Sequence, residues 1–175
     1  MRNAKSQSET LADATTDGRR NPVGTELLDL FVFEAGSRIF AVPANQVDGT
    51  TEARVPAVLP HTPQAILGVV CARGRMLTVL DPTVLLTGQA LRWPRTLPCV
   101  IALRGDEQLA LAAQSYRDKI TIEEADIDRL GESGGDAAGL LLGRVRYGGE
   151  EILVLDVNYL FASVMRQRER RRRRF

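Results

Sequence analysis

A chain that uses one plan twice is confined to folds with two like halves, and this chain repeats itself. Gly68–Leu86 reads GVVCARGRMLTVLDPTVLL, and Gly148–Phe161 reads GGEEILVLDVNYLF. Gly149 answers Gly74, Val154-Leu155-Asp156 answers Val79-Leu80-Asp81, and Leu160 answers Leu85. A second pair, Val32–Val47 (VFEAGSRIFAVPANQV) and Ile101–Tyr116 (IALRGDEQLALAAQSY), sets Gly36 against Gly105, Ala41 against Ala110 and Ala44 against Ala113. The offsets, about 75 and about 69 residues, are far longer than a solenoid repeat. One β-rich unit has been duplicated and fused.

Local patterns say what the unit contains. Leu27–Phe33 (LLDLFVF) is rich in β-formers and reads as a strand. A turn over Glu34–Ser37 returns the chain as Arg38–Val42, ended by Pro43, with Phe40 and Val42 on one face and Ile39 and Ala41 on the other. Ala44–Val47 is a connector. Glu52–Val58 holds an edge strand at most, because Pro56 cannot donate to a central ladder. Leu67–Ala72 and Arg75–Leu80 form a hairpin around Arg73-Gly74.

Asp81-Pro82 then reads as a helix N-cap followed by proline at the first helical position. Asp156 caps the final helix in the same way, and that helix buries Leu160, Val164 and Phe161. The two aspartates are therefore caps, not a paired acid and base. Gly88–Pro98 is a linker containing Trp93. Strands at Pro98–Leu103, Gln108–Ala113, Lys119–Ile122, Gly139–Tyr147 and Glu151–Leu155 follow, with an acidic, glycine-rich surface loop over Glu123–Gly139. Many short strands with few helices predict a mainly β fold of two small closed barrels, with a crevice between them for a partner.

The remaining features narrow the function. Residues 1–25 lack periodicity and are expected to be disordered, with no apolar segment of a secretory signal. Cys71 and Cys99 lie in apolar strand-like runs and are expected to be buried thiols. With no apolar run near the roughly 20 residues of a membrane span, a cytoplasmic location is expected. The net charge of +1 hides an asymmetry: the last ten residues, RQRERRRRRF, carry seven Arg and one Glu on an otherwise acidic chain. The single histidine, His61, sits between Pro60 and Pro63 and reads as a solvated loop residue. No phosphate-binding glycine motif, nucleophile signature or metal-ligand set appears, so neither an enzyme nor a cofactor is expected. The singular side chain is Arg73, charged and set between two apolar strands. It is either a solvated turn residue or a guanidinium poised to fork onto a partner carboxylate.

Taken in order, FVFEAGSRIFAVP, Val47, PHTPQAILGVVCARG, MLTVLDP, VIALRGDEQLALAA and RVRYGGEEILVLDVNYLF resemble the CheW-like family of bacterial chemotaxis adaptors. The resemblance spans about Leu27 to Val164. It implies a CheW-like domain over residues 26–165, built as two five-stranded β-barrels with a short C-terminal helix. It implies strands exchanged between barrels, so that a mid-chain cut need not separate them. The implied function is a non-catalytic adaptor that couples methyl-accepting chemoreceptors to the regulatory domain of a CheA-type histidine kinase. The receptor's helical tip would lie between the barrels. Val47, Gly68, Arg73 and Gly74 match positions associated with partner binding. The chain departs from the pattern at Cys71, where the family commonly has Asn, at Pro82-Thr83, at Gly49, where an acidic residue is common, and over Ala113–Tyr116. Two other readings stand beside this one. The chain is a paralogue serving another output such as twitching motility, or a nucleic-acid-binding barrel protein using the Arg-rich tail at residues 166–175. The acidic body and 5% aromatic content weigh against the last.

Overall fold

The computed structural model describes residues 26–52, 55–105, 108–129, 139–160 and 162. The expected N-terminal disorder, most of the glycine-rich loop, the helix residues Phe161 and Val164 and the Arg-rich tail lie outside them. The elements in chain order are strands β1 (Leu27–Ala35), β2 (Arg38–Pro43), β3 (Val47–Thr51), β4 (Ile66–Ala72) and β5 (Arg75–Leu80), then helix α1 (Pro82–Thr87). Strands β6 (Cys99–Leu103), β7 (Leu109–Ala113), β8 (Ser115–Tyr116), β9 (Ile120–Glu123), β10 (Leu141–Tyr147) and β11 (Glu150–Leu155) complete the set. A final helix covers residues 157–160.

Two sheets result. One has the order β10-β11-β2-β1, with β8 and β9 both pairing β1; the other has the order β3-β6-β7-β5-β4. Each therefore mixes strands from both halves of the chain. The duplication is visible pair by pair. In the β4–β5 hairpin Ile66 faces Leu80, Gly68 faces Val79 and Ala72 faces Arg75. In β10–β11 the answering pairs are Leu141 with Leu155, Gly143 with Val154 and Tyr147 with Glu150, and both hairpins slip register at the same point. The hairpins join their sheets through parallel contacts that also answer each other, Thr78 on Leu109 and Leu153 on Phe40. The β1–β2 alignment needs one correction. Ala41 does answer Ala110, but Val32 answers Ala102, not Ile101, because the β6–β7 turn is one residue shorter.

Alternation along the strands sorts the side chains into three cores. Leu30, Val32, Ala41, Val145, Ile152 and Val154 fill the first sheet's concave side. Val70, Leu77, Val79, Val100, Ala110 and Ala112 fill the second's. The opposite faces of the same strands meet in the largest cluster, where Phe33 stacks on Phe40 at 5.7 Å among Leu80, Leu103, Leu111, Leu155 and Leu160. This corrects the expected crevice. The junction between sheets is occupied by packed apolar side chains, since both faces of β1, β2, β6 and β7 are hydrophobic.

The barrels are likewise not closed ladders; both sheets have free edges. In the segment that follows β3, Ala57 bridges Val69 on β4, and in the segment that follows β9, Asp128 bridges Arg144 on β10. The approach depends on glycine. A Cβ on Gly68 would lie 2.5 Å from the Ala57 carbonyl oxygen, and one on Gly143 2.5 Å from that of Asp128.

Other expectations shift in detail. The strand after the first hairpin is Val47–Thr51, not Glu52–Val58, and β8 was not anticipated. Cys99 is buried, and desolvation pushes its thiol pKa up to about 11. Cys71 is exposed, because Val70 takes the inward position and alternation turns Cys71 out beside Met76. The Asp81 cap is as read: its carboxylate accepts from the backbone N–H of Thr83 (2.9 Å) and Val84 (3.4 Å), with Pro82 next. It also accepts from Trp93 Nε1 at 2.7 Å, which pins the linker to α1. Asp156 accepts from Asn158 at 3.0 Å.

Candidate partner-binding site

The β4–β5 turn and the start of β3 meet at one mouth of the second sheet. Sequence dictates the turn. Gly74 takes φ 76 at no steric cost, but Arg73 is also left-handed at φ 50, which costs a non-glycine residue about 1 kcal/mol. That conformation carries the Arg73 side chain across to β3. There the register slips between Val47 and Gly49, and Gly49 adopts φ 148. A Cβ at Gly49 would stand 2.9 Å from Arg73 Nη1 and 3.2 Å from Nη2, so the guanidinium lies where a side chain would otherwise be. Arg73 makes no hydrogen bond or ion pair among the described residues.

Two more guanidinium groups border it. Arg75 Nη1 donates to Asp48 Oδ2 at 2.8 Å, and Arg104 Nε donates to the Val47 carbonyl at 3.1 Å. An open cleft runs between Asp48–Thr51 and Ala72, Arg73, Arg75, Leu77 and Ala102. Arg73, Arg75 and the Asp48 carboxylate line it, and Thr50 and Thr51 add hydroxyls. Such a rim can receive an acid group bidentately. Among the described residues no three His, Cys, Asp or Glu side chains gather as metal ligands.

The equivalent mouth of the first sheet is built from answering positions with different residues. Tyr116, answering Val47, stacks on Phe31 at 5.7 Å and stays exposed. Arg117 bonds Glu34 at 2.5 Å and also pairs with Glu150. Hydrogen bonds from Arg117 and Ser115 hold the Glu34 carboxyl below the usual carboxylate range, and its partners raise the Arg117 pKa.

Of the four residues singled out in the sequence, Arg73 lines the cleft, Gly74 completes its turn, and Val47 opens the adjoining strand half-buried against the central core. Gly68 is apart from them, buried in the β4 slip beneath Ala57. Asp48, Arg75 and Arg104 were not anticipated. Their signal is visible only as charged residues beside turns and becomes meaningful once β3 is known to pair β6. His61 is exposed on its loop.

Comparison with known proteins agrees with this architecture. The family model of the CheW-like domain matches residues 29–165. Protein FrzA of Myxococcus xanthus is 32% identical over 132 residues, covering 75% of this chain and 82% of that protein. The crystal structure of the scaffolding protein TtCheW from Thermoanaerobacter tengcongensis superposes with a TM-score of 0.67 at 18% identity, covering 78% of this chain and 93% of the other. Two mixed sheets built from a duplicated unit, a family match over most of the chain and a relative of this identity together make the chain a member of the CheW-like family.

Proposed function

We propose that this protein is a non-catalytic adaptor of a chemosensory pathway, joining a chemoreceptor's cytoplasmic tip to the regulatory domain of a CheA-type histidine kinase. The observation that carries the reading is Arg73. Its guanidinium is presented in a strained turn, seated on Gly49 and without a partner among the described residues, at a rim that already holds Arg75 and Arg104. A free guanidinium of this kind supports recognition of a carboxylate on a partner surface. Val47 and Gly74 belong to the same rim in this reading, while Gly68 acts indirectly by seating the loop that borders it. The likeness to a protein titled as a scaffold supports a binding role without chemistry. No described helix is long and apolar enough to cross a membrane, and we place the protein on the cytoplasmic side, at receptor arrays.

Calorimetric titration with the cognate kinase regulatory domain, and separately with a receptor tip, tests this. Binding in the micromolar range that Arg73→Glu weakens is expected. Absence of binding to both at tens of micromolar would sink the proposal. The alternative within this reading is a paralogue serving another chemosensory output such as twitching motility. Its mark would be preference for a second, dedicated kinase over the swimming one.

A further inference from the structure

Three charged positions recur at the two mouths, each with its sign reversed. Register pairing fixes the correspondence. Phe33 faces Tyr116 as Leu103 faces Val47, and Leu30 faces Ile120 as Val100 faces Thr51. Glu34 on β1 thus answers Arg104 after β6, Asp48 on β3 answers Arg117 after β8, and Arg75 on β5 answers Glu150 on β11. Where the second sheet joins Asp48 to Arg75, the first joins Arg117 to Glu150. Where Arg104 reaches the β3 strand carrying Asp48, Glu34 bonds Arg117.

We propose that this sign reversal is a pairing code that makes the halves exchange strands instead of each closing on itself. The duplicated halves offer a competing fold of nearly the same pattern, with β3 laid on β1 and β8–β9 laid on β6. Only the short turn Ala44–Gln46 separates β2 from β3, so it would serve as the hinge, as in domain swapping. In that competitor Asp48 keeps Arg75, and Arg117 keeps Glu150, because those strands move together. What changes is the contact to the neighbouring hairpin. Glu34 would meet Asp48, and Arg104 would meet Arg117. The Glu34–Arg117 ion pair becomes a like-charge contact, and Arg104 is brought against a second cation. Hydrophobic alternation along the two receiving hairpins cannot make this choice, since the apolar positions of β1–β2 and β6–β7 coincide. Charge can.

The test uses the whole chain refolded under oxidising conditions, with Cys71→Ser removing the exposed thiol. One reporter is Asp29→Cys with Thr121→Cys, facing positions in the observed fold. The other is Asp29→Cys with Glu52→Cys, positions that face each other only in the competitor. Both are scored in the monomer fraction. Glu34→Arg with Arg104→Glu makes the observed fold repulsive and the competitor attractive. At exposed positions each changed contact is worth a factor of a few, so the ratio of the two cross-links is expected to move on the order of tenfold. Reversing all six charges, adding Asp48→Arg, Arg75→Glu, Arg117→Glu and Glu150→Arg, restores every ion pair and is expected to restore the parental ratio. Three results would overturn the proposal: an unchanged ratio in the two-charge variant, loss of the first cross-link without gain of the second, or failure of the six-charge variant to recover.

Discussion

Arg73 and Gly49 form one unit although Gly49 drew notice only as a departure from the family pattern. An aspartate at Gly49 would have to abandon φ 148 and would place its Cβ within 2.9 Å of the guanidinium. Gly49→Asp is therefore expected to displace and neutralise Arg73 and to weaken kinase or receptor binding as much as Arg73→Glu does. Arg73→Glu itself should leave the thermal midpoint nearly unchanged, because the side chain is exposed and has no partner among the described residues. A large fall in the midpoint would make Arg73 structural. Gly68 and Gly74 separate in the same way. Both have positive φ, but Gly74 has open space around it while Gly68 meets backbone. Gly68→Ala is expected to cost about 2 kcal/mol or more in urea unfolding, and Gly74→Ala about 1 kcal/mol.

Secondary structure was legible where hydrophobic period and turn chemistry coincide. The hairpins around Gly36-Ser37, Arg73-Gly74 and Gly148-Gly149 fall where alternation and glycine place them. The Asp81 and Asp156 caps were legible because a cap is a local device. Strand β3 was not, since VDGTT has neither apolar alternation nor an uninterrupted β-forming run; its place comes from pairing with β6, more than fifty positions along the chain. The cleft charges were hidden for the same reason. The two caps make contrasting predictions. Asp81 is fully buried and also holds Trp93, so Asp81→Ala removes a cap and strands an indole N–H. A loss of about 2–4 kcal/mol with red-shifted native tryptophan emission is expected, against about 1 kcal/mol for Asp156→Ala. The Glu34–Arg117 contact ties β1 to the segment after β8 and adds a pH dependence. Glu34 releases its proton more readily folded than unfolded, so its contribution is complete above the ordinary value of 4.5 and is lost as pH falls through the lowered folded value. The thermal midpoint of Glu34→Gln should trail the parent near neutrality and converge with it in acid.

At the scale of the whole molecule, exchange of strands decides what a mid-chain break does. A protease site placed after Arg95, in the exposed part of the linker, divides the chain between β5–α1 and β6. Had each half formed its own sheet, the break would leave two units joined only through their apolar faces. Here the first sheet takes β1 and β2 from one fragment and β8, β9, β10 and β11 from the other, while the second takes β3, β4 and β5 from one and β6 and β7 from the other. Main-chain ladders cross the break in both sheets, at β1–β8, β1–β9, β2–β11, β3–β6 and β5–β7. Separating the fragments must strip those ladders from sheets whose buried N–H and C=O groups have no other partners, and must expose all three cores. The nicked protein is therefore expected to co-elute as one species in size-exclusion chromatography, to bind the kinase domain as the intact chain does, and to part only at denaturant concentrations that unfold it. Fragments that separate in native buffer would contradict the exchanged topology itself, and with it the reason each sheet is assembled from both halves of the sequence.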